Sequence, residues 1–299
     1  MKTIPMELFD CTEIGKGILA LTDKKEKVSG SNVGIIDFGN FILFWDTFLN
    51  IEATEEAIEL SKNTFGDKPV MIVYSHSHLD HFLGTAAFNG SVQIISTTTV
   101  GKIMEDLRPK LPTWKKTPQQ LAEIEATVVK EEGIERLNDL NTMLMMTNIS
   151  RARSVVIPPT ILFNDTLMIR GDDRTAQLKS FTTAHSEEDI VMVLENEKIV
   201  FTGDILMVKE HPWLGSGNPY NLKEALASLL DHKTFVPGHG SVGHRQDVAD
   251  QIEYIDIIID FMTRKKTEPD ATLTLSDLPD KFKKWNPLCF QWNLDKVKI

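Results

Sequence analysis

The stretch VMIVYSHSHLDHF, residues 70–82, runs a continuous apolar segment directly into three histidines and an aspartate. The chain has only eight histidines in all, so this concentration needs a reason. VMIVY has the composition of a strand buried on both faces. In the extended segment beyond it, His76 and His78 lie two residues apart and point to the same side, where both imidazoles can reach one ion. Asp80 and His81 follow where the chain turns into a helix, which aims them elsewhere, toward a second ion. Imidazole with carboxylate suits zinc, iron or manganese better than calcium, which takes oxygen ligands. The competing reading is a solvated polar turn, and three histidines with an aspartate weigh against it.

Outward from that stretch, the first hundred residues carry short β-branched and aromatic runs. VGIID (33–37) and FILFWD (41–46) flank a turn at Phe38-Gly39-Asn40. Residues 53–65 show helical spacing, ended by Gly66-Asp67 and Pro69, and VQIIS (92–96) reads as the next strand. From about 100 to 153 the pattern is helical, with leucines and charges at helical spacing from Thr117 to about Asn148; this predicts a helical insertion. The run MLMM (143–146) within it fits a lid or core packing. Strands resume in TILFNDTLMIR (160–170), where Asn164-Asp165 predicts a hairpin turn, and continue through AQLKSFTT (176–183), IVMVLE (190–195) and KIVFTG (198–203). A helix at about 221–231, a strand TFVP (234–237) and a long amphipathic helix over roughly 245–264 follow. The aromatic tail KKWNPLCFQWN (283–293) is expected to pack against the body, since Trp285, Phe290 and Trp292 would otherwise face water. A single domain over 1–299 is expected, with the insertion at about 100–153 and a C-terminal helical extension at about 245–299. Helix–sheet–sheet–helix layering fits this order, and periodicity alone leaves a three-layer α/β sheet open.

Three further segments each end an apolar strand in a candidate donor. TTAHSEED (182–189) supplies His185, FTGD (201–204) supplies Asp204, and FVPGHG (235–240) sets His239 between two glycines. A lone strand-end histidine or aspartate is ordinarily a turn residue. Their repetition carries the weight, because strand ends on one sheet edge converge on a shared crevice.

His76-x-His78-x-Asp80-His81, then His185, Gly203-Asp204 and the Pro237-Gly-His239-Gly segment, in that order, resemble the metallo-β-lactamase superfamily over roughly residues 30–245. The resemblance implies an α/β fold, a four-layer αβ/βα sandwich of two mixed β-sheets flanked by helices. It implies a two-metal site in which His76, His78 and His185 hold one ion, Asp80, His81 and His239 hold the other, and Asp204 bridges them. The ions implied are divalent, zinc foremost, with iron or manganese as alternatives. Trp45-Asp46-Thr47 matches the family's early strand ending in Asp-Thr, which makes Asp46 a supporting residue rather than a ligand. Some positions depart from the family. Asp204 stands where β-lactamases proper often carry Cys, which favours the broader hydrolase branch. His78 stands where flavodiiron relatives carry Glu, Ala184 replaces a frequent Gly before His185, and Phe82-Leu83-Gly84 replaces a common Gly-Gly.

The activity this implies is metal-dependent hydrolysis of a small ester, lactone, thioester or related bond by hydroxide held at the ions, with Asp80 orienting it and Asp204 bridging. The alternatives are an iron-dependent oxidoreductase on the same scaffold and, further off, a β-lactamase or phosphodiesterase. EHPWLGSGNPY (210–220) follows Asp204 and reads as a loop beside the site, making His211, Trp213 and Tyr220 candidate substrate contacts; His211 serves equally well as a loop cap. His232 and His244 read as surface residues.

Composition narrows the field. A net charge of −11 is poorly suited to the phosphate backbone, so the expected partner is a small-molecule substrate and not nucleic acid. The basic runs KKEK (24–27) and RKK (264–266) read as solvated surface. The sequence shows no signal-peptide pattern and no run near the roughly 18–20 apolar residues that span a bilayer, so no membrane association is expected. Two cysteines, Cys11 and Cys289, in so long a chain favour a reducing, cytoplasmic setting over a disulfide scaffold. The helical insertion and the aromatic tail are the candidate surfaces for a homodimer.

Overall fold

The computed structural model describes residues 3–24, 30–90, 92–128 and 134–297. Residues 25–27 of the basic run KKEK and 129–133 of the helical insertion lie outside the described residues. The chain divides into two compact units. The first comprises Met1–Asn164 with Ile169–Thr175, and the second Asp165–Met168 with Ala176–Ile299. Each has its own mixed β-sheet flanked by helices, the α/β class expected from the sequence.

The sheet of the first unit has eight strands in sequential order: β1 (Thr3–Pro5), β2 (Phe9–Gly15), β3 (Ile18–Asp23), β4 (Val33–Asp37), β5 (Ile42–Trp45), β6 (Val70–Val73), β7 (Gln93–Thr97) and β8 (Ile161–Phe163). The first five pair antiparallel, then β5 to β8 run parallel. Parallel pairing demands crossovers, and α1 (Ile51–Phe65) supplies the first. It starts two residues before the helical pattern is legible, because the Asn50 side chain accepts hydrogen bonds from the backbone N–H groups of Glu52 and Ala53. It stops at Gly66, whose φ of 85° suits glycine. In β6, Ile72 and Val73 are buried, whereas Val70 and Met71 are only half-buried. The strand's dry end is therefore the one that leads into the histidine stretch, where the chain enters α2 (Leu79–Phe82) with His78 at its N-cap.

Four helices form the described part of the insertion: α3 (Thr98–Leu107), α4 (Leu111–Trp114), α5 (Pro118–Val128) and α6 (Ile134–Ser150). Met145 and Met146 pack half-buried against the core that also holds Phe44, Phe48, Tyr74 and Phe82. Two residues of the MLMM run, Met145 and Met146, thus rest on the core. Asn164-Asp165 does not close a hairpin: β8 joins the first sheet, while β9 (Thr166–Arg170) is the edge strand of the second. The apolar edge of β7 takes β8 in parallel, Ile95 opposite Ile161, and that pairing outweighs the local turn signal.

The six-stranded sheet of the second unit has the order β14-β13-β12-β11-β10-β9, with β10 (Thr175–Thr182), β11 (Glu188–Leu194), β12 (Ile199–Val208), β13 (Thr234–Gly240) and β14 (Gly243–His244). All ten residues of β12 are buried, as befits a central strand. Its flanking helices are α7 (Pro219–Ala227), capped by Asn218, and the long α8 (Arg245–Thr267). The C-terminal segment, with α9 (Asp280–Lys283) and α10 (Phe290–Lys296), packs onto α8 as its aromatics predict. Trp285 and Phe290 are buried, while Trp292 remains partly exposed and meets the Trp213 ring edge-on at 5.4 Å.

His211 lies inside this aromatic cluster, 1% exposed, with ring centroids 5.0 Å from Tyr254, 5.3 Å from Phe290 and 5.9 Å from Trp285. Burial pushes its imidazole down to about 4, with a backbone hydrogen bond to Phe282 pulling weakly the other way. The unfolded chain takes up this proton near pH 6.5 while the folded chain resists it, so stability is lost as pH falls from 6.5 to 4. At 1.36 kcal/mol per pH unit the cost is roughly 3 kcal/mol. His211→Phe should flatten the pH dependence of the denaturation midpoint across that window; a wild-type-like acid slope would show that His211 is not its source.

Candidate metal centre

Four of the seven expected donors lie in the first unit and three in the second. In the first, β5 delivers Asp46 at its end with φ of 56°, a left-handed conformation that a short polar residue tolerates. The Asp46 backbone N–H donates to Val73 O at 2.8 Å, which ties this turn to the end of β6. Its carboxylate is fully buried and accepts three hydrogen bonds. Ser75 N donates to Oδ1 at 2.6 Å, Ser75 Oγ to Oδ2 at 2.7 Å, and His81 Nδ1 to Oδ2 at 2.8 Å. Burial pushes the Asp46 carboxyl above its ordinary range, against the pull of His81 and of these hydrogen bonds. The next residue grips His81 again, with Thr47 N donating to His81 O at 2.8 Å.

These contacts set the tautomers. Ser75 Oγ has one proton, and it goes to Asp46, so Oγ accepts from His76 Nδ1 at 2.9 Å. His81 Nδ1 also carries its proton, facing a carboxylate. Nε2 is then the lone-pair nitrogen of both rings, the arrangement in which metal-binding histidines are held. The His76 ring centroid lies 4.6 Å from that of His78 and 4.3 Å from that of His81, and His81 Nε2 is 3.6 Å from Asp80 Oδ2. Asp80 is half-buried, its side chain 28% exposed, with its backbone carbonyl held by Ser31 Oγ at 2.7 Å.

In the second unit, His185 sits on the tight connection between β10 and β11. Asp189 organises that connection: Oδ2 accepts the N–H groups of His185 (2.8 Å) and Ser186 (2.9 Å), and Oδ1 accepts Ser186 Oγ at 2.8 Å. Burial pushes the Asp189 carboxyl up to about 7, opposed by those Ser186 and His185 hydrogen bonds, with the Asp204 charge adding to the rise. His185 Nδ1 donates to the carbonyl of Trp213 at 3.2 Å, which again leaves Nε2 as the lone-pair nitrogen. The loop carrying that carbonyl is itself pinned by buried Asn293, which donates to Pro212 O at 2.6 Å and accepts from Leu214 N at 2.9 Å. The aromatic tail therefore reaches His185 through two hydrogen-bonded steps.

Asp204 does not end its strand, as the FTGD pattern suggests, but lies inside β12 where the register against β13 shifts on either side of Gly203. Gly203 takes φ of 52° there, and the extra residues of the bulge re-aim the carboxylate. Its two oxygens face different histidines: Oδ2 is 3.3 Å from His185 Nε2 and Oδ1 is 3.4 Å from His239 Nε2. Room for this comes from Gly238, where an added Cβ would fall 1.9 Å from Asp204 Oδ1.

Other expectations resolve less directly. His211 is buried among aromatics, so the structure places it as packing rather than at an open surface. Trp213 donates from Nε1 to Ser216 Oγ, and its backbone rather than its ring serves His185. Tyr220 is 48% exposed in the first turn of α7. Ser75, Asp189 and Asn293 escape sequence reasoning. Ser75 and Asp189 adjoin donors in the quoted motifs, a signal that was available; Asn293 lies over a hundred residues from His185 and had none.

Gly238→Ala should move the Asp204 carboxylate or the β12–β13 pairing and cost about 1–3 kcal/mol. Chemical denaturation measures this, and an unshifted midpoint would mean that the bulge absorbs the methyl group freely.

Imidazoles together with carboxylates are a donor set that suits divalent transition-metal ions. The sequence profile of the metallo-beta-lactamase superfamily matches residues 27–239, which include all seven donors. No curated protein matches the chain. Among solved structures, a metallo-beta-lactamase from Erythrobacter litoralis is similar at 15% identity and a TM-score of 0.59, over 85% of this chain and 99% of that one. The FIM-1 metallo-beta-lactamase from Pseudomonas aeruginosa, solved in a mono-zinc form, is similar at 18% identity and 0.58, over 84% and 96%. A stereoselective inverting sec-alkylsulfatase from a Pseudomonas species is similar at 15% identity and 0.63, over 92% of this chain and 46% of that one. Likeness at such identities is likeness of fold. With the profile spanning most of its length and every donor motif inside the match, the chain belongs to the metallo-beta-lactamase superfamily.

Proposed function

We propose that this protein is a dinuclear metal-dependent hydrolase, zinc being the leading metal, acting on a small ester, lactone, thioester or related bond. The observation that carries this is Asp204, whose two carboxylate oxygens each face a different histidine. A carboxylate so placed suits a bridge between two ions. The proposed donor sets are those the family resemblance implies: His76, His78 and His185 for one ion, Asp80, His81 and His239 for the other, with Asp204 bridging them. Support also comes from the tautomers: Nδ1 of His76, His81 and His185 is committed to Ser75, Asp46 and the Trp213 carbonyl, so Nε2 is the coordinating atom in each.

When bound, divalent ions at such a site supply Lewis acidity and make a water-derived nucleophile available near neutral pH. The protein's own part is orientation. Asp80, the more open carboxylate, would accept a hydrogen bond from the water-derived nucleophile and so orient it toward the substrate. Asp46 keeps His81 in one tautomer and one rotamer. No Ser or Cys nucleophile is required. The substrate we infer is a small molecule rather than nucleic acid, given the net charge of −11. Among the described residues no helix is long and apolar enough to cross a membrane.

The similar solved structures include a beta-lactamase and an alkylsulfatase, so bond type is the open variable. Metal quantification of protein purified without added metal, coupled to a panel of lactone, ester, thioester, β-lactam and phosphodiester substrates, tests the proposal. Stoichiometric iron with an optical band would count against a hydrolase. His81→Ala or His239→Ala should lower metal content from about two ions to about one, and unchanged stoichiometry would break the assignment. Asp204→Ala should abolish hydrolysis with the fold retained by circular dichroism; full activity would refute the bridge. Asp46→Asn should weaken metal binding roughly 10–100-fold, read by competition with a chelator.

A further inference from the structure

The helical insertion and the histidine stretch line an open cavity of about 340 Å³ wholly within the first unit. Its walls are Leu79, Trp114, Met145, Met146 and Ile149. Thr113, which is exposed, and Lys116, which is half-buried, are the remaining lining residues and the polar ones. Three facts distinguish this cavity from a packing defect. Its volume falls in the range of small-molecule sites, about 300–1,000 Å³. Two of its walls are methionines, whose unbranched thioether chains adapt to guests of varied shape. And Leu79 stands between His78 and Asp80, so one wall belongs to the short helix that carries two of the expected donors and has a third at its N-cap. Successive helical residues diverge by about 100°, so Asp80 leaves the face that Leu79 presents, and none of the donors is among the lining residues.

We propose that this cavity holds an apolar acyl or alkyl group of the substrate, with the bond to be cleaved beside His78 and Asp80. The inference rests on the hydrolase reading above and adds the substrate's character: an amphiphile, with its polar, reactive end at the donors and its hydrocarbon end under α4 and α6. Lys116, the one charged residue in the lining, favours a guest that also bears an anionic or strongly polar group at the opening. The insertion thereby acquires a role. It builds the substrate-selective wall, and Lys116 N donating to Ser150 Oγ at 2.7 Å ties the segment after α4 to the end of α6, so that the wall holds its shape.

The test is a calorimetric titration of the full-length protein with butanoate, hexanoate, octanoate and decanoate. Each step in the series adds two methylenes, so affinity should rise about 15-fold per step until the cavity fills, from about fourfold per buried methylene. The slope with chain length reports the cavity, whereas the head group affects only the intercept. Met146→Trp should abolish the slope by filling the cavity. Thr113→Trp, at an exposed position where folding is safe, should at least halve the slope on a logarithmic scale. A flat series in the wild-type protein, or an undiminished slope in both variants, would overturn the proposal. The titration needs neither bound metal nor turnover, so a failed hydrolase reading shows separately, in metal content and in the substrate panel.

Discussion

A buried carboxylate organises the first unit. Asp46 is fully removed from water, and removing such a group costs several kcal/mol unless its lone pairs are answered. Here they are answered by Ser75 N, Ser75 Oγ and His81 Nδ1. The cost of burial thus becomes a geometric constraint, because the backbone after β6 and the ring of His81 hold their places only as long as Asp46 does. His76 is drawn in through Ser75, whose single proton decides the direction of the chain of hydrogen bonds. One aspartate at the end of β5 therefore sets the tautomers of two histidines on a different element.

The second unit solves the same problem with other means. Asp189 ties down the backbone around His185, and a main-chain carbonyl orients its ring. That carbonyl is fixed by Asn293 from the C-terminal helix, which links the aromatic tail to the donor loop through packing and two buried hydrogen bonds. Asp204 needs a bulge with Gly203 and open space at Gly238 before its carboxylate can face two histidines at once. Both units spend buried polar groups on positioning, which is the pattern of a site built for fixed geometry rather than for stability.

Fold and donors were legible in the sequence to different depths. The strands around residues 33–45 and 188–203 were readable because apolar runs bounded by glycine, asparagine and aspartate are strong local signals. The start of α1 was misjudged by two residues, since Asn50 acts as a cap that hydrophobic spacing does not reveal. The Asn164-Asp165 turn looked like a hairpin, and only the parallel pairing of β8 with β7 shows that the chain leaves one sheet there and enters another. The antiparallel strands β1 to β3 passed unassigned, their mixed polar and apolar residues giving a weak pattern.

The identity and order of the seven candidate donors belong to the sequence alone, because residue type and spacing along the chain are local properties. So does the neighbourhood of Ser75 and Asp189, which adjoin donors in their own motifs. What only the tertiary structure decided is how those donors are aimed. The tautomers follow from hydrogen bonds between residues 1 to 35 positions apart, Asp204 is turned by a bulge read against β13, and His211 lies in the interior of an aromatic cluster. Direction depends on which groups become neighbours once the chain is folded, and a buried polar atom takes its partner from that neighbourhood, not from its place in the sequence.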